Sequence, residues 1–243
     1  MCNLAAQAGV RYSLENPHQY IDVNLKGFFN VLECSKNNDV KHFVYASSSS
    51  IYGKNKKTPF EISDKTESPI SLYAATKKAN ELMAHSYSEL YKINTTGLRF
   101  FTVYGPFGRP DMSYFIFANK IMNNEKIDVY NYGKMERDFT YIDDITDGIL
   151  KVFFNLKISK KNYNIYNIGN DNPVKLLDFI KILEKKLKTK ANKNMLPLQK
   201  GDVIKTLADI TLSKKEIGYD PIVKIESGLE SFVKWFKEYN NIT

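Results

Sequence analysis

Apolar and polar positions in the first 105 residues follow two alternating patterns, one typical of strands and one typical of helices. Short runs rich in β-branched and aromatic residues cover His42–Ala46 and Gly97–Val103, and each predicts a strand. Between them, apolar positions from Tyr73 to Tyr91 recur at helical intervals and predict a helix. An earlier helix is predicted from about Pro17 to Cys34. Strand, helix and strand at this spacing indicate parallel βαβ units.

Both predicted helices carry a stripe of apolar residues. In the later helix this stripe consists of Leu72, Ala75, Ala79, Leu82, Met83 and Leu90. In the earlier helix the residues expected to face inward are Val23, Phe28, Val31 and Leu32.

Beyond Gly105 the pattern changes, because glycine, proline and polar clusters become more frequent. The elements predicted there are helices over Phe115–Met122, Val174–Leu187 and Ile225–Tyr239 and a strand over Tyr163–Ile168. We therefore expect two domains. Residues 1–105 form part of a larger parallel sheet, and residues 106–243 form a smaller domain with some segments that return to the first.

Composition places this chain of 243 residues and 28.0 kDa among globular proteins with a sizeable core. Its 43% hydrophobic and 26% charged residues exclude disorder, collagen and coiled coil as the main state. No apolar stretch approaches the ~20 residues of a membrane span, and the first residues lack the features of a secretory signal. Two cysteines, Cys2 and Cys34, build no disulfide framework and lack metal-ligand spacing. We expect a soluble, cytoplasmic protein without a metal.

The formal charge of +8 suggests nucleic-acid binding, but the make-up of this charge argues against it. The densest lysine cluster, from Lys185 to Lys193, has no interleaved aromatic residue and is typical of a solvated helix face. We expect neither a nucleic-acid nor a membrane partner. The few arginines are better site candidates, because a guanidinium group binds planar anions at two points. They are Arg11, Arg99, Arg109 and Arg137.

Tyr73 and Lys77 are the strongest candidates for chemistry. At a spacing of four residues on a helix they lie on one face. A lysine ammonium group beside a phenol lowers the phenol pKa from about 10 and makes tyrosine a usable acid or base.

Four consecutive serines, Ser47 to Ser50, follow the strand that ends at Ala46. Their hydroxyl groups are therefore expected at the carboxyl end of a strand, where ligands bind in open α/β sheets.

Five segments resemble the extended short-chain dehydrogenase/reductase superfamily, and within it the NAD-dependent nucleotide-sugar epimerases. They are Ala5–Ser13, Tyr45–Gly53, Tyr73–Lys77, Gly105–Met112 and Arg137–Asp144. The resemblance runs from Leu4 to about Phe236 and is closest to the uronate epimerases. It implies an α/β fold with a Rossmann-like doubly wound parallel sheet that lacks its N-terminal βαβ part, plus a smaller α/β substrate domain. It also implies NAD as the cofactor, a UDP-sugar as the substrate and a homodimer.

The same resemblance implies a role for each matching position. Tyr73 is expected as the catalytic base and Lys77 as the residue that binds the nicotinamide ribose and tunes Tyr73. Ser48 is expected as the hydroxyl that polarises the sugar 4-oxygen, with the flanking serines Ser47, Ser49 and Ser50 as alternatives. Further cofactor contacts are expected from Ala5, Ala6, Phe100 and Val103. Further substrate contacts are expected from Ser49, Ser50, Thr102, Arg109, Arg137, Asp202 and Arg11.

A UDP-uronate carries a diphosphate and a carboxylate, and guanidinium groups suit both. By its position in the family motif Arg137 is expected at the diphosphate, and Arg109 is the candidate for the carboxylate. Arg11 has two readings, an anion contact or a cap of its loop. Arg99 lies inside a strand and is expected to be structural.

The implied reaction is the 4-epimerisation of UDP-glucuronate to UDP-galacturonate through a 4-keto sugar, in polysaccharide biosynthesis. Tyr73 takes the proton of the 4-hydroxyl while hydride passes to NAD, and both return after the keto sugar has turned over. Related dehydratases would carry an acidic pair beside Ser48, and UDP-xylose-forming decarboxylases a glutamate at position 50. Ser49 and Ser50 occupy these positions. UDP-glucose/galactose 4-epimerisation is the enzymatic alternative.

None of the 12 glycines forms the Gly-rich turn that holds a dinucleotide pyrophosphate. In the family, the segment at Leu4 follows the fourth strand, so an N-terminal part on the order of 80 residues is expected to precede it. We therefore expect these 243 residues alone to be inactive. They would be either part of a complete epimerase or a non-catalytic fragment that pairs with a full-length homologue.

Overall fold

Each of two structural units is built from three separate stretches of the chain. In the computed structural model, residues 1–154, 162–199 and 202–242 are described. The first unit comprises Met1–Phe101, Thr146–Ile168 and Ala208–Asp220. The second unit comprises Thr102–Ile145, Gly169–Leu207 and Pro221–Thr243.

The strands are β1 (Cys2–Asn3), β2 (His42–Ser48), β3 (Asn94–Phe100), β4 (Thr102–Tyr104), β5 (Lys126–Val129), β6 (Glu136–Tyr141), β7 (Tyr163–Ile168), β8 (Pro173–Lys175) and β9 (Asn192–Met195). The α-helices are α1 (Tyr12–Glu15), α2 (Pro17–Tyr20), α3 (Phe28–Asn37), α4 (Leu72–Tyr91), α5 (Ser113–Met122), α6 (Ile142–Phe154), α7 (Leu176–Leu187), α8 (Thr211–Ile217) and α9 (Ile225–Tyr239). A π-helical segment, Ile21–Gly27, joins α2 to α3, and short 3₁₀ turns cover Ser49–Tyr52 and Tyr130–Gly133.

The first unit contains a parallel sheet in the order β1-β2-β3-β7. An apolar cluster is shared between the sheet and its helices and includes Phe28, Leu32, Phe43, Tyr45 and Ala84. Parallel strands with helical crossovers are buried by those helices, which explains the fully buried Phe43 and Tyr45 on β2.

In the second unit β4 pairs with β6 in parallel and β6 with β8 in antiparallel orientation, while β5 pairs with β9 in parallel. Its core is rich in aromatic rings. Phe139 stacks on Phe179 with ring centroids 4.4 Å apart, and Tyr114 meets Phe232 edge to face at 4.9 Å. Aromatic pairs at these separations stabilise the core beyond the area they bury.

The predicted positions of most elements are confirmed. The predicted strand at His42–Ala46 extends to Ser48, the helix at Tyr73–Tyr91 begins one residue earlier, and Ile225–Tyr239 matches α9. Two boundaries were wrong. The predicted strand Gly97–Val103 is two strands, β3 and β4, which belong to different units, and Val174 lies in β8 rather than in the helix that follows.

The apolar stripe of α4 is only partly buried. Met83 packs against the core of the first unit, but Leu82 and Leu90 are 58% and 70% exposed. The side that faces the first unit's interior is largely polar instead, and its buried residues are Ala74, Thr76, Lys77, Asn80, Glu81, Ala84 and Ser88. Apolar spacing therefore indicated the helix correctly but does not mark its most buried face.

Val23 is also not buried, although Phe28 and Leu32 are. Val23 lies in the π-helical segment, where hydrogen bonds span five residues instead of four and the angular spacing of side chains changes. The 3.6-residue stripe consequently does not continue through it.

The lysine cluster does not form one helix face. Lys185 and Lys186 lie in the last turn of α7, Lys188 is its left-handed cap, and Lys193 lies on β9. Lys193 is ion-paired with the buried Glu184 at 2.5 Å.

None of the helices in the described part of the chain has the length and hydrophobicity needed to cross a bilayer. Both cysteines are free and exposed.

Candidate active site

The carboxyl end of β2 carries the four serines. Ser48 ends the strand, and its Oγ accepts a hydrogen bond of 3.2 Å from the Ser50 backbone N–H, which caps the 3₁₀ turn. Because Oγ is the acceptor there, the Ser48 proton is suited to donation to a ligand oxygen. Ser49 and Ser50 lie in the turn and are partly exposed, whereas the hydroxyl of the buried Ser47 donates to Glu81.

Lys77 lies on α4, one helical turn after Tyr73. The helix begins beside Ser71, whose Oγ accepts from the Ala74 N–H at 3.1 Å and caps its first turn. The Lys77 side chain is buried, and Nζ donates to the Ala46 carbonyl at 2.9 Å. Burial disfavours the charged ammonium and lowers the pKa of Lys77 from 10.5 to about 8. The helix is thereby joined to β2 two residues before Ser48.

Tyr20 links Tyr73 to the loop that follows β1. Its ring meets the Tyr73 ring edge to face, with centroids 6.2 Å apart. Its hydroxyl lies 2.9 Å from the Ala8 carbonyl and 2.6 Å from the Gly9 carbonyl, and the ring is fully buried. Sequence reasoning did not identify Tyr20, because a single tyrosine without a spaced partner gives no signal.

Asn24 is a second residue that the sequence did not indicate. It lies in the π-helical segment, and its amide oxygen accepts from the Gln7 N–H at 2.8 Å. Its amide nitrogen donates to the Gln7 carbonyl and to Thr76 Oγ1, and its own carbonyl accepts from Asn80. Asn24 thus holds the loop after β1 against α4. The π-helical backbone that presents it has no signature in hydrophobic spacing.

Three other cofactor candidates lie at the same end of the sheet. Ser48 and Phe100 are register partners at the ends of β2 and β3. Ala5 and Ala6 follow β1, which pairs with β2, and the Ala5 N–H donates to Asn3 Oδ1 at 3.2 Å. The first unit therefore brings Ser48, Phe100 and Lys77 to one region.

The other predicted residues lie in the second unit, apart from Arg11, which lies in the exposed turn before α1. Thr102 and Val103 are on β4, in register with Phe139 and Thr140 of β6. Arg137 is on β6, and its guanidinium donates to the Glu136 and Ile204 carbonyls at 2.9 and 3.1 Å.

Arg109 and Asp202 are on loops of the second unit. Arg109 is exposed and binds Asp111 at two points, each at 2.9 Å. Asp202 directly follows residues 200 and 201, which lie outside the described residues.

A buried polar network was also missed. Glu81 and Arg99 form a two-point ion pair at 2.9 and 3.0 Å, and Arg99 also donates to the Tyr52 hydroxyl at 2.9 Å. Burial opposes the charged guanidinium, but the bonds to Glu81 raise the pKa of Arg99 above its ordinary value. The structural role expected for Arg99 agrees with this burial.

No group of three or more histidine, cysteine, aspartate or glutamate side chains within residues 1–154, 162–199 and 202–242 is arranged to hold a metal ion.

Comparison with known proteins identifies the family. Residues 1–169 match the NAD dependent epimerase/dehydratase family. The chain belongs to this family. Protein CapI of Staphylococcus aureus is 51% identical over 98% of this chain and 75% of its own length. UDP-glucuronate 4-epimerase 4 of Arabidopsis thaliana is 48% identical over 98% of this chain, which spans 57% of that protein.

Solved structures of epimerases have the same fold. The UDP-glucuronic acid 4-epimerase of Bacillus cereus, crystallised with UDP-glucuronic acid and NAD, superposes with a TM-score of 0.90 at 33% identity. The match covers 97% of this chain and 74% of that one. The Rossmann-like α/β fold that the sequence predicted for this epimerase/dehydratase family member is confirmed by this match.

Proposed function

We propose that this chain, with NAD bound, catalyses the 4-epimerisation of a UDP-uronate. The reaction interconverts UDP-glucuronate and UDP-galacturonate. The observation that carries the proposal is the buried Lys77 ammonium. It is held at the Ala46 carbonyl, two residues from Ser48 and one helical turn after Tyr73. The similarity to UDP-glucuronate 4-epimerases of other organisms supports the choice of substrate.

The residues of the first unit fit a nicotinamide cofactor. A lysine ammonium has three N–H donors. Among the described residues Lys77 makes one hydrogen bond, to Ala46, so two donors remain for the ribose hydroxyls of NAD. Phe100, beside Ser48 in the sheet register, supplies an aromatic wall for the nicotinamide ring, and Val103 and the loop of Ala5 and Ala6 complete the proposed contacts.

The reaction needs a base, a donor to the sugar oxygen and a hydride acceptor. NAD, when bound, accepts a hydride from sugar C4 and returns it. Tyr73 takes the proton from the 4-hydroxyl and gives it back, and the Lys77 cation favours the phenolate form of Tyr73 during this step. The Ser48 hydroxyl donates a hydrogen bond to the sugar 4-oxygen and holds that oxygen at the phenol of Tyr73. Tyr73, Lys77 and Ser48 are the catalytic residues of the proposal.

The substrate side of the proposal rests on the remaining polar candidates. Arg137 binds the diphosphate and Arg109 the uronate carboxylate, because guanidinium groups bind both anions at two points. The other proposed substrate contacts are Ser49, Ser50, Thr102, Asp202 and Arg11. In this scheme the first unit holds mainly the cofactor, and the second holds mainly the nucleotide sugar.

Incubation of the NAD-loaded protein with UDP-glucuronate tests the proposal. We expect UDP-galacturonate by liquid chromatography, and loss of nearly all turnover in Tyr73→Phe, which retains the ring but not the hydroxyl. The related enzymes that eliminate water or decarboxylate are expected to carry carboxylates at positions 49 and 50, where this chain has Ser49 and Ser50. UDP-xylose or a stable 4-keto sugar as the main product would therefore reject epimerisation.

UDP-glucose is the second candidate substrate. One observation favours it: the Arg109 guanidinium already binds the Asp111 carboxylate, so a uronate must displace it. Equal turnover of UDP-glucose and UDP-glucuronate would support this alternative.

A homodimer completes the proposal. The outer face of α4 exposes Leu82, Leu90 and Tyr91, and α3 exposes Phe29. Where such side chains form one contiguous apolar patch, the patch is typical of a subunit contact. We place the protein in the cytoplasm, because two free exposed cysteines are compatible with a reducing compartment.

A further inference from the structure

Glu81 joins three elements of the first unit through one carboxylate. It lies on α4, one turn after Lys77, and is 1% exposed. Its Oε1 accepts from Ser47 Oγ on β2 at 2.7 Å and from Arg99 Nε on β3 at 2.9 Å. Its Oε2 accepts from the second Arg99 nitrogen at 3.0 Å.

These bonds connect α4 to β2 immediately beside the proposed catalytic serine. Lys77 is bonded to the carbonyl of Ala46, and Glu81 to the side chain of Ser47. Two neighbouring strand residues are thus bonded to two helix residues one turn apart. These two bonds fix the distance between the strand end and the helix and prevent the strand from sliding along the helix. Ser48 is the next residue of the strand.

The network also reaches the turn after Ser48. Arg99 donates to the Tyr52 hydroxyl, and Tyr52 donates to Asn167 Oδ1 at 2.7 Å. Tyr52 ends the 3₁₀ turn that Ser48 caps. Glu81 therefore has a bonded path to both sides of Ser48, through Ser47 and through Arg99 and Tyr52.

We propose that Ser47 and Glu81 are positioning residues that hold Ser48 in place against Tyr73 and Lys77. This inference rests on the proposed function for its kinetic consequence. A buried ion pair is a weak source of stability, because desolvation of the two charges offsets most of their attraction. Displacement of a catalytic group by about 1 Å costs on the order of 100-fold in rate, so a fixed strand end has a direct effect on turnover.

Ser47→Ala is the test variant, since it removes the bond to β2 and leaves the Glu81–Arg99 ion pair. Glu81→Gln leaves Arg99 without a buried counter-charge and is expected to unfold more readily. Ser47→Thr keeps the hydroxyl and is the rescue variant. Ser35→Ala is the matched control, because Ser35 is a fully buried serine on α3 whose hydroxyl donates to Val31 at 2.7 Å, away from the candidate site.

We expect Ser47→Ala to lower kcat about 10- to 100-fold with little change in KM. Ser47→Thr should restore most of the lost kcat, and Ser35→Ala should leave kcat unchanged. In NAD-bound protein without substrate, amide hydrogen exchange over residues 47–52 should accelerate at least several-fold in Ser47→Ala and stay unchanged in Ser35→Ala.

Unchanged exchange over residues 47–52 in Ser47→Ala would overturn the positioning role, whatever the activity. Accelerated exchange with unchanged kcat would also overturn it, because the strand end would then be irrelevant to turnover. Absence of epimerase activity in the wild type would instead reject the proposed function, and the exchange comparison would still decide whether Ser47 fixes the strand end.

Discussion

Arg109 and Asp111 form a two-point ion pair at the surface of the second unit, with both N–O distances at 2.9 Å. The pair is exposed, so its contribution to folding is small. Its consequence is for ligand binding, because any carboxylate that Arg109 binds must replace that of Asp111.

Replacing Arg109 by alanine is expected to lower kcat/KM for UDP-glucuronate by roughly 10- to 100-fold, which corresponds to the loss of a charged hydrogen bond. Asp111→Asn should have the opposite effect and lower KM for UDP-glucuronate several-fold, because it removes the competing carboxylate. Steady-state kinetics with UDP-glucose as the control substrate separates the two effects. A parallel loss for both substrates in Arg109→Ala would show that Arg109 does not bind the uronate carboxylate.

Lys77 should give the NAD-free protein a characteristic pH dependence. Its pKa is lowered from 10.5 to about 8, so the unfolded chain binds more protons than the folded one between these values. The free energy of unfolding therefore rises with pH across that window, by on the order of 3 kcal/mol from this group. Urea unfolding at a series of pH values should show this rise in unfolding free energy in the wild type but not in Lys77→Met. The control Lys41→Met, at an exposed lysine, should show the same rise as the wild type. The same change of unfolding free energy with pH in wild type and Lys77→Met would contradict the lowered pKa of a buried Lys77.

Replacing one member of the Glu81–Arg99 pair should lower the free energy of unfolding more than replacing both. Arg99→Met removes the two-point partner of the buried Glu81 carboxylate, which keeps only the Ser47 hydroxyl at 2.7 Å and the Lys78 ammonium at 3.5 Å, and it is expected to cost about 3 kcal/mol of unfolding free energy. The double variant Arg99→Met, Glu81→Leu should recover part of that loss, because neither charge remains. Chemical denaturation measures both, and a double variant that is less stable than each single one would argue against charge burial as the cause.

The exposed apolar residues of α4 provide a test of assembly. Leu82→Arg and Leu90→Arg place charges on the proposed subunit contact and should convert a dimer to a monomer in light scattering after size-exclusion chromatography. Lys92→Glu, beyond the end of the helix, is the control for an added change of charge. If Leu82→Arg and Leu90→Arg both keep the wild-type mass, this helix face is not the contact.

Sequence patterns located the elements of the first unit well and its interior less well. The helix over Leu72–Tyr91 was predicted to within one residue, because its apolar positions have helical spacing. Its most buried face is not its apolar stripe, because the interior there includes hydrogen-bonded polar groups such as Asn80 and Glu81. Hydrophobicity counts such residues as exposed, and only their partners in the fold explain their burial.

At the candidate site, residue type and spacing predicted more of the structure than hydrophobicity did. Tyr73 and Lys77 were selected by their spacing, Ser47 to Ser50 by the end of a strand, and Ser48 among the serines by the family resemblance. In the structure Lys77 reaches the strand beside Ser48. Tyr20 and Asn24 were missed because their effect depends on contacts with a loop that is 11 to 17 residues away in sequence. A residue that acts through such a contact has no spacing rule to reveal it.

Because the first unit is divided among three stretches of chain, it cannot complete its sheet until late in synthesis. The strand β7, which pairs with β3, begins at Tyr163, about 60 residues after β3 ends at Phe100. At ~5–20 residues per second a ribosome takes on the order of 3–12 seconds to synthesise that interval. During this time the edge of β3 has no strand to pair with, and an unpaired edge invites association with other nascent chains. The nascent first unit is therefore expected to need a chaperone, or rapid folding of the second unit's residues, until Ile168 has left the exit tunnel.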